Sequence, residues 1–319
     1  MVATRKAPRT TPGTTPAQTL DVRITDRIVA ALNNGIVPWQ QAHHRLADGT
    51  LEAPCNWASG HRYTGQNLLL LDCDTHDRPY YLTYRQAQAL GGQVRRGAKG
   101  EFITFWKFND DKEDTTGERR RAYCQVSYVF HLSDIDGIEV ILPERMTLSV
   151  SDAERAALAQ AQLLIDAYLI REQIRLIEQG LRASYSKELD QIRMPLKAAY
   201  LHPGAYYKTI FHEMIHATGA AHRLNRPDLV NNRGMNLTDR ATYSREELTA
   251  EVGAAMLAMH CGLDHQPGAS TENSAAYVAD WAQFLAGDPL AFRTAIGHAN
   301  KAVAYVLGVA HSPDPVVAE

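Results

Sequence analysis

Three residues of this 319-residue chain have types and a spacing that suit metal chemistry. His212, Glu213 and His216 form a His-Glu-x-x-His motif. On a helix, histidines four positions apart lie one turn apart, so both rings can ligate one ion. Glu213 is rotated by about 100° from His212, so its carboxylate can face the open position of the ion and take a proton from bound water. The motif therefore predicts a metal site with His212 and His216 as ligands and Glu213 as the general base.

The residues around the motif favour a helix with one buried face and a divalent ion. Phe211, Met214 and Ile215 form an apolar stripe, which is typical of such a helix. The alternative is a helix whose two histidines are ordinary core residues. It does not explain why the charged Glu213 stands in these apolar surroundings. Imidazole and carboxylate ligands suit zinc, and carboxylate ligation also allows manganese. We therefore expect one divalent ion, with zinc as the first choice.

A third protein ligand must come from elsewhere in the chain, and three residues compete for this role. His222 extends the motif to His-Glu-x-x-His-x-x-Gly-x-x-His, which is the metzincin spacing. Glu247 and Glu251 lie four residues apart and so share one face of a second helix. We favour Glu251, because it shares its face with Ala254 and Ala258, and small residues let two helices approach closely. The glutamate that does not bind the ion can still hold a ligand histidine by a hydrogen bond.

A peptidase also needs a surface for its substrate and groups that stabilise an oxyanion. The segment 191–194 is expected to be extended and could offer an edge strand to which a peptide adds. Tyr185, Tyr243 and His222 are candidates for oxyanion stabilisation, although such residues are more often simple packing or surface groups.

The first half of the chain combines aromatic residues with a local basic patch. Between residues 78 and 107, six basic residues stand against the single acidic residue Glu101. Bases of single-stranded nucleic acid stack on aromatic rings while phosphates pair with Lys and Arg, whereas no recognition-helix pattern for duplex DNA is visible. The predicted contacts with single-stranded DNA are Trp39, Trp57, Tyr63, Arg95, Arg96, Lys99 and Trp106.

The patterns along the chain predict an α+β fold with two domains. Residues 1–19 are rich in Thr, Pro and Ala, and we expect a disordered tail there. Residues 20–145 are expected to form a small α+β domain with an antiparallel sheet. After residue 145 the apolar spacing becomes helical, so residues 146–319 are expected to form a mostly helical domain.

Individual elements follow from short patterns. Aromatic and β-branched runs at 102–108 and 122–132 predict two strands joined by a charged loop at 109–121. Thr83 and Gln86 form a capping box that predicts a helix from residue 84. A further apolar run at 68–71 fits either a strand or the start of a helix.

Composition excludes several classes of protein. The 33 basic and 36 acidic residues give a net charge of −3, so no basic field covers the whole chain and nucleic-acid contacts must be local. No apolar run approaches the roughly 18 residues of a membrane span, and the N-terminus lacks the apolar stretch of a signal peptide. The four cysteines are dispersed, which disfavours a disulfide scaffold. We therefore expect a cytoplasmic protein without membrane partners.

Both halves together resemble the antirestriction protein ArdC family of plasmids. The resemblance runs from about residue 20 to residue 309 and rests on the motifs in combination. These are Gly35-Ile36-Val37-Pro38-Trp39, Asn56-Trp57, the run 59–67 (SGHRYTGQN), Leu82-Thr83-Tyr84-Arg85-Gln86-Ala87, Val94-Arg95-Arg96-Gly97-Ala98-Lys99-Gly100, the run 190–195 (DQIRMP), the segment from His212 to Arg226 and the run 246–251 (EELTAE).

The resemblance implies an N-terminal domain that binds single-stranded DNA and a C-terminal zincin-like metallopeptidase domain. It also implies a role in protecting incoming plasmid DNA from host restriction during conjugation. The second domain is similar as well to the ImmA/IrrE metallopeptidases, in which the third ligand is a Glu that opens a Glu-x-x-Ala pattern. Glu251 with Ala254 and Ala258 matches that pattern well. Glu247 matches it less well, because Gly253 then stands where the pattern has a bulky residue.

Two functional hypotheses from different classes follow. In the first, the metal site cleaves a protein, such as a component of the host restriction system, and DNA binding localises the enzyme. In the second, the protein protects DNA by coating the single strand, and the metal site is structural or inactive. The catalytic role of Glu213 separates the two hypotheses.

Overall fold

The structure is a computed structural model that describes residues 16–41, 46–48, 50–74, 76–108, 122–145, 150–200, 202–230, 240–263 and 275–310. It has the expected α+β architecture, with a sheet before residue 145 and mainly helices after it. Most of the expected tail at 1–19 and the expected loop at 109–121 lie outside the described residues. The first helix begins at Pro16, inside the segment expected to be the tail.

Four strands form the main sheet of the first half, in the order β1-β2-β5-β4. The two long strands predicted from their aromatic and β-branched residues are present and pair antiparallel, with Thr104 opposite Val126. The pairing of β2 with β5 is also antiparallel, whereas β1 and β2 run parallel. The strands are β1 (Cys55–Asn56), β2 (Tyr80–Thr83), β4 (Glu101–Phe108) and β5 (Ala122–His131), and a separate pair consists of β3 (Gln93–Val94) and β6 (Ile135–Asp136).

Three helices accompany this sheet. Helix α1 (Pro16–Asn33) buries one apolar face and ends before Gly35, which adopts a positive φ of 77° that favours glycine. The apolar run at 68–71 belongs to a helix, α2 (Gly65–Leu71), not to a strand. Helix α3 (Tyr84–Ala89) carries both hydrogen bonds of the predicted capping box.

The second half consists mainly of helices, with a three-stranded sheet that packs against α5. Its strands have the order β7-β9-β8, with β7 parallel and β8 antiparallel to the central β9. The sequence predicts only β9, because Pro195 favours an extended backbone in the residue before it, whereas no such residue follows the similarly short β7 or β8. The elements are α4 (Val150–Glu172), β7 (Arg175–Glu178), β8 (Ser184–Ser186), β9 (Gln191–Met194), α5 (Pro203–Thr218), α6 (Pro227–Val230), α7 (Arg240–Cys261), α8 (Ala275–Gly287) and α9 (Pro289–Leu307).

Two large apolar clusters hold the molecule together. One surrounds α5 and includes residues of α4, β9 and α7. The other joins Ile24 and Ile28 of α1 and the ring of Trp39 to Val252 of α7 and Phe292 of α9. The second cluster therefore contains side chains from both sides of residue 145. No helix in the described ranges is long and apolar enough to cross a membrane.

Candidate metal centre and nucleic-acid surface

Helix α5 presents the two histidines of the motif on one side. Pro203 occupies its first turn, where the missing N–H costs no hydrogen bond. Phe211 and Ile215 are completely buried and fix the rotation of the helix. His212 and His216 then lie one turn apart, with 3.0 Å between their Nε2 atoms. The predicted helix and the predicted histidine pair are therefore both present.

Helix α7 packs against α5 and brings a carboxylate to the same place. Glu247 Oε2 lies 3.3 Å from His212 Nε2, and Glu247 Oε1 lies 3.4 Å from His216 Nε2. A tetrahedral ion with bonds of roughly 2.0–2.1 Å places its ligand atoms roughly 3.3 Å apart. The two imidazole nitrogens and this carboxylate therefore fit a divalent ion in both spacing and donor chemistry. They form the three-residue cluster of potential metal donors found among the described residues.

The other two candidates for the third ligand occupy different positions. Glu251 Oε1 lies 3.4 Å from His212 Nδ1, the ring nitrogen that faces away from the shared donor cluster. In this position Glu251 can orient the His212 ring by a hydrogen bond. The His222 side chain is 59% exposed and lies 3.3 Å from Asp190 Oδ2. The structure thus brings Glu247, and not our favoured Glu251, between the two histidines.

A buried ion pair contacts His216 at Nδ1, the ring nitrogen on the side away from the donor cluster. His216 Nδ1 lies 3.1 Å from Glu246 Oε1, and a proton on Nδ1 leaves Nε2 free to bind an ion. Glu246 is in turn held by Arg226, which is 2% exposed and donates to both of its carboxylate oxygens at 2.5 and 3.0 Å. Arg226 also donates to the Thr218 hydroxyl. Sequence reasoning missed this role of Arg226, although a ligand histidine is expected to have such a partner.

Burial and the nearby charges shift the pKa values in this cluster. Burial lowers the pKa of His216, but hydrogen bonds with Glu246 and Glu247 outweigh this effect and raise it to about 9. Burial raises the pKa of Glu247, but hydrogen bonds with His212 and His216 bring it below its usual range. Both residues are thus arranged to hold opposite charges when no ion is bound.

Glu213 lies beside the donor cluster and has a different environment. Its side chain is buried, and this burial raises the pKa of its carboxyl group, while the nearby His216 and His212 work in the opposite direction. A backbone hydrogen bond from Tyr185 also stabilises the charged form of Glu213. Glu213 therefore lies next to strand β8, to which Tyr185 belongs.

The strand next to Glu213 differs from the one expected to be at the edge. The predicted segment 191–194 is β9, which has a neighbour on each side and has no free edge. Strand β8 instead forms the edge of this sheet on the side of α5. The Tyr185 hydroxyl donates to Asp190 Oδ1 at 2.8 Å. Tyr185 is therefore occupied elsewhere, and the side chain of Tyr243 lies outside the described residues.

The predicted DNA contacts differ in their exposure. Arg95, Arg96 and Lys99 are exposed in the turn after β3, and Arg95 forms an ion pair with Asp136 at 2.9 Å. Trp106 lies in β4 opposite Cys124, and its side chain lies outside the described residues.

The three remaining aromatic candidates differ in burial. Trp39 is 4% exposed and packs edge-on against Trp281, with 6.4 Å between ring centroids. Tyr63 is 2% exposed, and its hydroxyl lies 3.4 Å from Asn56 Nδ2. These two rings are core residues and are not presented to a ligand. Trp57 is only half-buried and remains available.

Two family models match this chain. Residues 18–130 match the N-terminal domain of anti-restriction factor ArdC, and residues 164–298 match a zincin-like metallopeptidase. The DNA primase TraC of Escherichia coli is 33% identical over 305 residues, which are 89% of this chain and 27% of TraC. The chain thus spans about a quarter of that relative. An uncharacterized protein of Sinorhizobium fredii, y4eC, is 33% identical over 90% of this chain and 92% of its own length.

Two solved structures are also similar over most of the chain. Both are of the antirestriction ArdC protein from plasmid R388. The metal-free structure has a TM-score of 0.62 and 28% identity, and covers 91% of this chain and 99% of that one. The Mn(II)-bound structure has a TM-score of 0.62 and 29% identity, and covers 91% of this chain and 97% of that one.

Proposed function

Because this chain belongs to the ArdC antirestriction family and carries a zincin-like metallopeptidase domain, we propose that it binds single-stranded DNA and protects incoming DNA from host restriction with the help of a metal-dependent peptidase site. The proposed peptidase activity rests on one observation, the cluster of His212, His216 and Glu247 with Glu213 beside it. We place this activity in the cytoplasm, where restriction enzymes meet DNA.

The residues of the cluster divide the chemical work between them. His212 and His216, through Nε2, and Glu247, through its carboxylate, would hold the ion. When bound, the ion would supply a Lewis acid that lowers the pKa of water. Glu213 would take a proton from the attacking water on its carboxylate and pass it to the leaving amine. Burial favours the protonated form of Glu213, which helps it to keep the proton between these two steps.

Strand β8 supplies a surface for an extended substrate. Its outer edge carries backbone groups that no other described strand pairs with. An extended peptide that adds to this edge would pass the carboxylate of Glu213, because Tyr185 in β8 contacts that residue. We propose a protein of the host restriction system as the substrate class.

Two features support the choice of ion. A site with two histidines and one glutamate is typical of catalytic zinc. The related ArdC protein from plasmid R388 was solved with Mn(II). We keep zinc as the first choice and manganese as the alternative, since the same donors suit both ions.

The DNA-binding half of the proposal rests on the first 145 residues. Residues 18–130 match the N-terminal domain of an anti-restriction factor, and they include the exposed cations Arg95, Arg96 and Lys99 and the half-buried Trp57. We propose residues 20–145 as the DNA-binding domain and residues 146–319 as the peptidase domain.

The variant Glu213→Gln tests the peptidase activity. It keeps the size of the side chain but removes the base, so it should abolish protection of unmodified plasmid DNA in a restricting recipient. Metal content and oligonucleotide binding should stay at wild-type values. Glu154→Gln, at an exposed position of α4, is the matched control and should protect fully. Full protection by Glu213→Gln would instead support the alternative, a protein that coats single-stranded DNA and whose metal site is structural or inactive.

A further inference from the structure

A surface cavity of ≈ 200 Å³ opens between the segment before β1 and strand β2. None of the metal-centre residues and none of the three cations in the turn after β3 lines it. The residues that line it combine apolar ones, such as Leu51 and Pro143, with Trp57 and Arg62. The cavity therefore offers an apolar and aromatic interior together with a cation.

The ring of Trp57 is held as a platform on one side of this cavity. Tyr80 packs edge-on against it, with 5.3 Å between ring centroids and an angle of 77° between the planes. The backbone N–H of Trp57 donates to the carbonyl of Tyr81 in β2 at 2.9 Å. Because Trp57 is half-buried and tied to a strand, its ring can stack against a flat ligand at a low cost in conformational entropy.

The acidic residue in the wall is neutralised by the protein itself. The carboxylate of Glu52 is completely buried and forms ion pairs with Arg78 and Arg145, each at 2.6 Å. Arg145 also pairs with Asp77 at 2.8 Å. Two carboxylates and two guanidinium groups therefore balance each other, and this network neither attracts nor repels an anion strongly.

Arg62 is the cation at the cavity that remains available. Its backbone pairs with Cys55 in an isolated bridge, and its side chain is exposed. In the described part of the chain its guanidinium group makes no hydrogen bond or ion pair. Among the described residues its charge interacts with the Cys55 thiol and with Asp48, whose carboxylate already accepts hydrogen bonds from Thr50. Arg62 can therefore pair with an incoming phosphate.

We propose that this cavity binds one nucleotide of single-stranded DNA, with the base against Trp57 and an adjacent phosphate paired with Arg62. This inference rests on the proposed DNA-binding function and names its site. Duplex bases are stacked and paired and would have to be extruded before they could enter, whereas bases of a single strand are free to do so. The amide of Asn56 is occupied by Gln86 and Ser59, so it cannot read the edge of the base, and binding should be tolerant of sequence.

The test is the binding of a labelled oligothymidylate, measured by fluorescence polarisation over a series of salt concentrations. Trp57→Leu keeps an apolar side chain but removes the ring, and it should weaken binding by about tenfold at every salt concentration. Trp57→Tyr should retain most of the affinity. Arg62→Gln should weaken binding and reduce the slope of log K against log salt by about 0.7, as expected for one lost phosphate contact on a single strand.

Matched variants and a second probe separate the possible results. Arg182→Gln, at an exposed position between β7 and β8, should bind like the wild type, and thermal unfolding confirms that each variant is folded. Wild-type binding in folded Trp57→Leu and Arg62→Gln proteins, or a loss confined to Arg96→Gln, would overturn this inference but leave DNA binding in place. Competition by free thymidine monophosphate at the concentration of the oligonucleotide would also overturn it, since the occupant would then be a free nucleotide. Failure of the wild type to bind any oligonucleotide would overturn both proposals.

Discussion

Gly253 of α7 lies so close to Ile215 of α5 that a Cβ atom on it would come within 2.8 Å of the Ile215 side chain. The absence of a side chain at Gly253 therefore sets the distance between the two helices that carry the donor cluster. Gly253→Ala should push α7 outward, destabilise the protein by about 1–3 kcal/mol and weaken metal binding. Gly297→Ala in α9 is the control, because its Cβ would meet no atom within 4 Å. The check is thermal unfolding with and without the ion, and an unchanged metal affinity in Gly253→Ala would contradict the prediction.

Glu247 and Glu251 should differ in their effect on ion binding. Glu247 faces both histidines, whereas Glu251 contacts only the outer nitrogen of His212. Glu247→Gln should therefore lower the affinity more than Glu251→Gln, for which a loss of about 10–100-fold is expected. Competition with a chromophoric chelator measures both affinities. The reverse order would identify Glu251 as the ligand.

Arg226 should be needed for stability because it neutralises a buried carboxylate. Replacing it with Met leaves the buried Glu246 carboxylate with His216 as its remaining charged partner among the described residues, and the loss of the guanidinium group should cost about 3–5 kcal/mol. The double variant Arg226→Met/Glu246→Gln removes both charges and should regain part of this loss. Chemical unfolding of the three proteins provides the comparison. Equal stabilities of the single and the double variant would show that the ion pair is not the cause.

The acid sensitivity of the protein should depend partly on Arg223. Burial raises the pKa values of Glu172 and Asp190, but hydrogen bonds outweigh it and lower both. They come from Arg171, Tyr305 and Arg223 at Glu172, and from Arg223 and Tyr185 at Asp190. A lowered folded-state pKa contributes stability that is present above the ordinary value of about 4 and is lost as the pH falls through the folded value. Arg223→Met should therefore show a shallower decrease in unfolding free energy between about pH 5 and pH 2. The unfolding free energy is measured by urea unfolding at each pH. If it decreases with pH as steeply in Arg223→Met as in the wild type, this linkage is ruled out.

The part of the site that the sequence could predict is the part that depends on local spacing. His212, Glu213 and His216 lie within two turns of one helix, so their mutual arrangement follows from helix geometry alone. The choice between Glu247 and Glu251 depends on the rotation and distance of a second helix, which Gly253 and its contact with Ile215 determine. No local pattern contains that information.

The same limit applies to the aromatic residues of the first half. Trp39 was predicted to contact DNA, but it packs against Trp281 and Phe292, which lie more than two hundred positions later in the chain. A contact at such a separation leaves no trace in the residues around position 39. Trp57, by contrast, owes its position to the adjacent strand, and it remains accessible in the structure.

Helix α7 contacts two different parts of the protein. Glu247 belongs to the donor cluster, whereas Leu248 and Val252 belong to the apolar cluster shared with α1 and Trp39. The ion and the N-terminal elements therefore hold the same helix from two sides. A ligand that binds only the folded state stabilises everything that unfolds with it. We expect that a supply of the ion would lengthen the lifetime of the whole chain against cellular proteases, and that a ligand bound by the N-terminal elements would do the same. Scarcity of the ion would then limit how many copies of the chain persist.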